Sequence, residues 1–173
     1  MIARAATLAD VNDLVRLINL AYVVEAEMFR SDRTSDADLR DRIARPNAVI
    51  LTFDDAGAAG ALAGSVYVEL HGDRAYFGML AVDPSQQGRR LGRALVRAAE
   101  AYAGARGCTA MDLDVVDLRS ELTSFYGSLG YTAVGEAPYP HPEDTKVPVQ
   151  LIRMTKSIGS PANGKMRNHQ HPM

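Results

Sequence analysis

One stretch of the chain concentrates residues able to hold an anion. Gly78-Met79-Leu80-Ala81-Val82 reads as the end of a buried strand and Asp83-Pro84-Ser85 as a stop. Gln86-Gln87-Gly88-Arg89-Arg90-Leu91-Gly92-Arg93 then reads as a short loop and the mouth of a helix. The first N–H groups of a helix have no partner within it, and its aligned peptide dipoles leave about half a positive charge there. Gly88 and Gly92 let backbone and ligand approach closely. That chemistry suits a phosphate or pyrophosphate. The plainer alternative is that the two glycines close a turn and let the helix pack on a sheet. The sequence holds no G-x-x-x-x-G-K-S/T and no G-x-G-x-x-G after a strand, which excludes two competing phosphate motifs.

The elements around this stretch are legible from their periods. Ile2 to Ala6 is a short strand candidate, followed by Thr7 with Asp10 three residues on, a capping signal. Val11, Leu14, Val15, Ile18 and Tyr22 recur at helical spacing and predict a helix over Leu8 to Val24. A more exposed helix fits Arg30 to Arg45, ended by Pro46. Strands follow at Ala48 to Phe53, Ala61 to Leu70 and Ala75 to Val82, the last two joined by a His71-Gly72-Asp73-Arg74 turn. Leu91, Ala94, Leu95, Ala98, Ala99 and Tyr102 mark a helix that Gly104 and Gly107 close. Thr109 to Val116 is a strand, Ser120 to Leu129 a helix with Gly130 at its C-cap, and Tyr131 to Gly135 and Val147 to Thr155 are strands. The order implies an α/β (mixed α+β) fold: one domain over 1–156, with a mixed, mostly antiparallel, twisted sheet of about seven strands and helices on both faces. From Ser157 to Met173 no apolar period survives, so 157–173 is expected to be a disordered tail.

Composition narrows the function classes. The chain has 173 residues, 47% hydrophobic and 23% charged, which suits a globular domain. Its 19 basic and 21 acidic residues leave a net charge of −2, without the basic footprint of a nucleic-acid binder. Cys108 is the single cysteine, so no disulfide framework exists, and Cys108 reads as a small core residue. No apolar stretch reaches membrane-spanning length and the N-terminus opens no export signal. The expected location is therefore the cytoplasm, without a membrane partner. His71, His169 and His171 lack metal-ligand spacing on a rigid element, so no metal is expected.

Gln87, Gly88, Arg89, Arg90, Leu91 and Gly92 resemble the pyrophosphate-binding motif of the GNAT superfamily of N-acetyltransferases: Gln or Arg, two residues, Gly, one residue, then Gly or Ala. Arg90 departs from it, standing where the pattern has its middle Gly. Phe125-Tyr126-Gly127-Ser128-Leu129-Gly130-Tyr131 is similar to the family's (F/L)-Y-x-x-x-G-(F/Y) segment, and Ile2 to Asp10 resembles its first strand and helix start. The likeness covers Ile2 to Lys156.

The resemblance implies acetyl-CoA as donor and direct attack of a primary amine, on a small molecule or a peptide, on the thioester. Leu80, Ala81 and Val82 would pair with the pantetheine arm where a strand splays. The residues from Gln87 to Arg93 would hold the pyrophosphate, and the Leu80 N–H would face the carbonyl oxygen. Tyr126 would protonate the leaving thiolate, the alternative being a packing role beneath the helix. Arg119 stands where relatives often carry an Asn near the cofactor, although an ion pair with Glu121 accounts for it equally. Tyr76 to Val82 contains no acid, so Glu25, Glu27 and Glu69 are the base candidates, each of which also reads as solvated surface. Tyr139-Pro140-His141-Pro142 is either a structural loop or a wall of the acceptor pocket. Homodimers are frequent in the family, so a second copy is one expected partner. The competing reading is a non-catalytic acyl-CoA-binding sensor or regulatory module of the same fold; a structural interaction protein without CoA affinity is the third.

Overall fold

The structure is a computed structural model in which residues 1–159 are described. Seven strands form one sheet in the order β1-β2-β3-β4-β5-β7-β6. They are β1 (Arg4–Ala5), β2 (Ala48–Asp54), β3 (Leu62–His71), β4 (Arg74–Val82), β5 (Ala110–Val116), β6 (Thr132–Pro138) and β7 (Gln150–Ser157). Neighbours are antiparallel except β4 and β5, which run parallel. A parallel pair needs a crossover, here helix α3 (Leu91–Ala105). The expected mixed sheet, mostly antiparallel and about seven-stranded, is the fold found.

Helices α1 (Val11–Ala21) and α2 (Asp36–Ala44) cover one face, and α3 and α4 (Ser120–Ser128) the other. The apolar stripe Val11, Leu14, Leu17 and Ile18 packs with Leu39 against Ile50, Tyr67, Met79 and Ala81. On the opposite face Leu95, Val96, Ala99 and Ala103 pack against Val66, Val68, Phe77 and Met111, with Cys108 buried beside them.

Several boundaries differ from the periodic reading. The first helical stretch is a 3-10 turn at Leu8–Asp10, then α1, then a second 3-10 turn at Val23–Glu25. The second helix begins at Asp36 rather than Arg30, because the Ser35 side chain accepts the Asp38 N–H at 3.1 Å and sets its first turn. Residues 26–35 are thereby left as a loop. The expected limit at 156 also moves. Ser157 pairs with Ala110 in β7, and Ile158 is 8% exposed, its N–H donating to the Thr109 carbonyl at 2.9 Å. The rest of the expected tail, 160–173, lies outside the described residues.

Two irregularities in β4 shape the centre of the molecule. Its pairing with β5 stops at Tyr76↔Asp112, so the two strands part beyond that point. Its register on β3 shifts between Ser65↔Ala81 and Tyr67↔Gly78, and Met79 takes a φ of 50°, a left-handed value rare for a side chain of its size. The bulge changes which residues face which side. Ala75 and Phe77 belong to the α3-side core, whereas Met79 and Ala81 belong to the α1-side core, and Leu80 and Val82 now turn toward α3. Opposite, Gly64 on β3 leaves room for α3: a Cβ there would lie 2.8 Å from Leu95 Cδ1 and 3.0 Å from the Ala81 carbonyl oxygen.

Candidate active site

Beyond the parted ends of β4 and β5 the described residues enclose two cavities that meet. The first, about 480 Å³, opens at the mouth of α3 and is lined by Leu80, Val82, Gln87, Gly88, Arg90, Leu91, Gly92 and Arg93. Asp83 organises the approach: its carboxylate accepts the N–H and hydroxyl of Ser85 at 2.8 and 2.7 Å, and Pro84 starts a 3-10 turn. Gly88 has a φ of 87° and Arg90 a φ of 60°, so two left-handed residues fold the loop over the helix mouth. Such a loop turns successive backbone N–H groups toward one concavity, where the helix dipole adds its own positive end. The left-handed Arg90 explains why the motif prefers glycine there. An L residue in that conformation carries about 1–2 kcal/mol of strain. The arrangement, with Arg90 and Arg93 in the lining beside the helix mouth, fits a pyrophosphate.

The second cavity, about 350 Å³, lies on the α1 side. Its walls come from Tyr22 and the following loop, from Tyr76 to Leu80 on β4, from Asp114 on β5 and from Tyr139 and Pro140. The Tyr139-Pro140-His141-Pro142 segment thus walls the pocket with its first two residues. The α1–α2 loop is tied to it. Arg30 N–H donates to the Asp144 carbonyl at 2.8 Å, the Ser31 N–H and hydroxyl donate to the Asp144 carboxylate at 2.9 and 2.6 Å, and Lys146 N–H donates to the Met28 carbonyl at 2.8 Å. Gly78 makes room for a ring: a Cβ there would lie 3.1 Å from the Tyr76 hydroxyl oxygen.

Tyr22, Leu80, Leu122 and Tyr126 line both cavities and mark their junction. Tyr126 is 6% exposed and sits in an aromatic cluster, its ring centroid 5.7 Å from Phe77 and 5.0 Å from Phe125. Burial pushes its phenol well above the ordinary tyrosine range. It therefore stays protonated at any physiological pH.

The remaining nominated residues divide. Arg119 lines the first cavity, but its guanidinium is held by Glu25 and Glu121, both at 2.9 Å. Glu25 lines the second cavity and is buried in that ion pair. Glu27 is exposed and lines neither cavity. Glu69 also lines neither; it accepts a hydrogen bond from the Tyr67 hydroxyl and pairs with Arg45 at 3.3 Å and His71 at 2.9 Å. Arg89 is exposed outside the first cavity, and Ala81 is buried in the α1-side core and lines neither cavity. Periodicity missed Tyr22, Tyr76, Arg33 and Asp114. Tyr22 counted there only as part of a helical stripe, and nothing in the sequence links the others to one cavity. Among the described residues no group of three or more His, Cys, Asp and Glu is placed to hold a metal ion.

Known proteins share this architecture. The ribosomal-protein-S18-alanine N-acetyltransferase of Escherichia coli superposes with a TM-score of 0.71 at 18% identity, over 99% of each chain. An aminoglycoside 6'-N-acetyltransferase complexed with coenzyme A gives 0.71 at 20% identity, over 91% of this chain and 97% of that one. In sequence, the mycothiol acetyltransferase of Clavibacter michiganensis subsp. michiganensis (strain NCPPB 382) is 37% identical over 112 residues, 63% of this chain but only 35% of that protein. The aminoglycoside N(6')-acetyltransferase type 1 of Klebsiella aerogenes is 33% identical over 104 residues, 57% of this chain and 68% of that one. A family model described as Acetyltransferase (GNAT) family matches residues 12–131, most of the chain. By that match, this chain belongs to the GNAT family of N-acetyltransferases.

Proposed function

We propose that the chain transfers the acetyl group of acetyl-CoA to a primary amine of a small molecule or peptide by direct attack. The observation that carries this reading is the meeting of the two cavities at Leu80 and Tyr126, where β4 parts from β5. The relatives named for acetylation of aminoglycosides and mycothiol support it. The α3 mouth receives the donor's pyrophosphate and the backbone of Leu80 to Val82 receives its pantetheine arm. The Leu80 N–H faces the thioester oxygen as charge develops on it. The amine nitrogen attacks the carbonyl carbon, the C–S bond breaks, and the Tyr126 hydroxyl gives its proton to the departing thiolate. With Glu25 held by Arg119 and Asp114 held by Arg153, the amine's own proton leaves to water in the open cavity. The reaction draws on cytoplasmic acetyl-CoA and needs no membrane. Among the described residues no helix is long and apolar enough to cross one.

An acetyl-CoA turnover screen over amines, amino acids, antibiotics and peptides tests the reading. Amine-dependent thiol release with formation of the N-acetyl product is expected. Binding of acetyl-CoA without turnover of any acceptor would instead support the sensor module. Arg90→Gly tests the donor site separately. Relief of the left-handed strain is expected to stabilise the free protein by up to about 1 kcal/mol, net of glycine's greater unfolded-state freedom. Loss of the guanidinium is expected to weaken acetyl-CoA binding several-fold. Thermal melts with and without acetyl-CoA read both effects.

A further inference from the structure

The second cavity holds charges that the proposed reaction leaves unused. Glu25 and Asp114 are neutralised by Arg119 and Arg153, and Asp144 is engaged by Ser31. Arg33 and its neighbour Asp32 are different: both line the cavity, Asp32 forms no ion pair among the described residues, and the Arg33 guanidinium has no carboxylate partner there. Arg33 lies over the ring of Tyr22, 5.1 Å from the centroid. Tyr22 faces both cavities, so this cation stands one ring away from where donor and acceptor meet. Its charge is also felt by the phenols of Tyr22, Tyr76 and Tyr139, which come from the end of α1, from β4 and from the loop after β6.

An unpaired guanidinium beside an amine-acetylating junction matches an acceptor that carries an anion close to its amine. In an α-amino acid only one carbon separates the two groups, and the arginine fork fits a carboxylate. The cavity volume of about 350 Å³ is at the small end for ligand pockets, and its aromatic lining suits an apolar or aromatic side chain. We propose that the acceptor is a small α-amino acid with an apolar or aromatic side chain, its carboxylate held by Arg33 and its amine directed at the junction beside Tyr126. This rests on the reading of the second cavity as the acceptor site.

Steady-state kinetics with acetyl-CoA and matched pairs test it: L-leucine against L-leucinamide, L-phenylalanine against L-phenylalaninamide, and L-tyrosine against L-tyrosinamide. The amide amines are the less basic, which biases the comparison against the proposal. The acid is nevertheless expected to exceed its amide about ten- to a hundredfold in kcat/KM, mainly through KM. In Arg33→Gln the acid-to-amide ratio is expected to collapse toward one, and in Arg33→Lys to recover in part. Because both acceptors are measured on the same protein, a ratio is insensitive to partial misfolding. Amides equal to or faster than acids, or inert acids while other amines turn over, would overturn the proposal and leave acetyl transfer standing. Absence of turnover with every amine would overturn both.

Discussion

Tyr126→Phe is expected to slow acetyl transfer about a hundredfold, the lower end of the usual range for general acid catalysis, while acetyl-CoA affinity is nearly unchanged. The ring is what packs, against Phe77 and Phe125, and phenylalanine keeps it. The hydroxyl donates to no protein acceptor among the described residues, so its removal breaks no hydrogen bond and little stability is lost. Only the proton for the leaving thiolate disappears. The lower end is expected because a CoA thiolate leaves tolerably well without help. Because burial raises the Tyr126 phenol, its ionisation should add no limb to the pH–rate profile at neutral or mildly alkaline pH. Single-turnover rates under conditions where chemistry limits are the measurement. A wild-type rate would make Tyr126 a packing residue, with water as the acid.

Gly64→Val is expected to prevent stable folding, and Gly64→Ala to cost about 3 kcal/mol. A Cβ at this position meets Leu95 at 2.8 Å and the Ala81 carbonyl oxygen at 3.0 Å. Leu95 is fully buried in the α3-side core and has nowhere to retreat. The carbonyl belongs to the backbone just beyond the bulge, so relief there would disturb the strand that borders both cavities. Shortening the obstructing side chain in Gly64→Ala/Leu95→Val should therefore restore only part of the loss. Urea unfolding of the single and double variants reads this. A wild-type midpoint for Gly64→Ala would mean that α3 sits farther from the sheet than described.

Much of the fold was legible because its elements carry clean periods. The α1 stripe, the α3 stripe and the strand–loop–helix from Gly78 to Arg93 are local patterns, and local patterns survive in sequence. The Phe125 to Tyr131 segment singled out Tyr126, which lines both cavities. The second cavity was not legible, because it is assembled from distant pieces. Asp144 meets Ser31 across 113 residues, and Arg119 meets Glu25 across 94. An acid such as Glu25, at the end of the 3-10 turn after α1, reads as solvated surface until its arginine is placed beside it. The bulge at Met79 was hidden for another reason. A left-handed residue is normally flagged by glycine, and here it is a methionine whose cost is met by the packing around it. The end at 156 erred because Ile158 stands alone after three polar residues, Thr155, Lys156 and Ser157.

The proposed division of labour between the two cavities, donor in the first and acceptor in the second, carries an evolutionary consequence. The donor side is built almost wholly from one continuous run, from the end of β4 through the first turn of α3, with α4 closing it. The acceptor side is finished by two surface loops, 26–35 and 139–149, that are fastened mainly to each other. Changes in those loops can alter what is modified without touching what does the modifying. New specificities are thus reachable by replacing a matched pair of loops, provided the Asp144–Ser31 and Lys146–Met28 contacts travel together. Replacing one loop alone would break the fastening of both and leave an enzyme with its donor but no pocket for its acceptor.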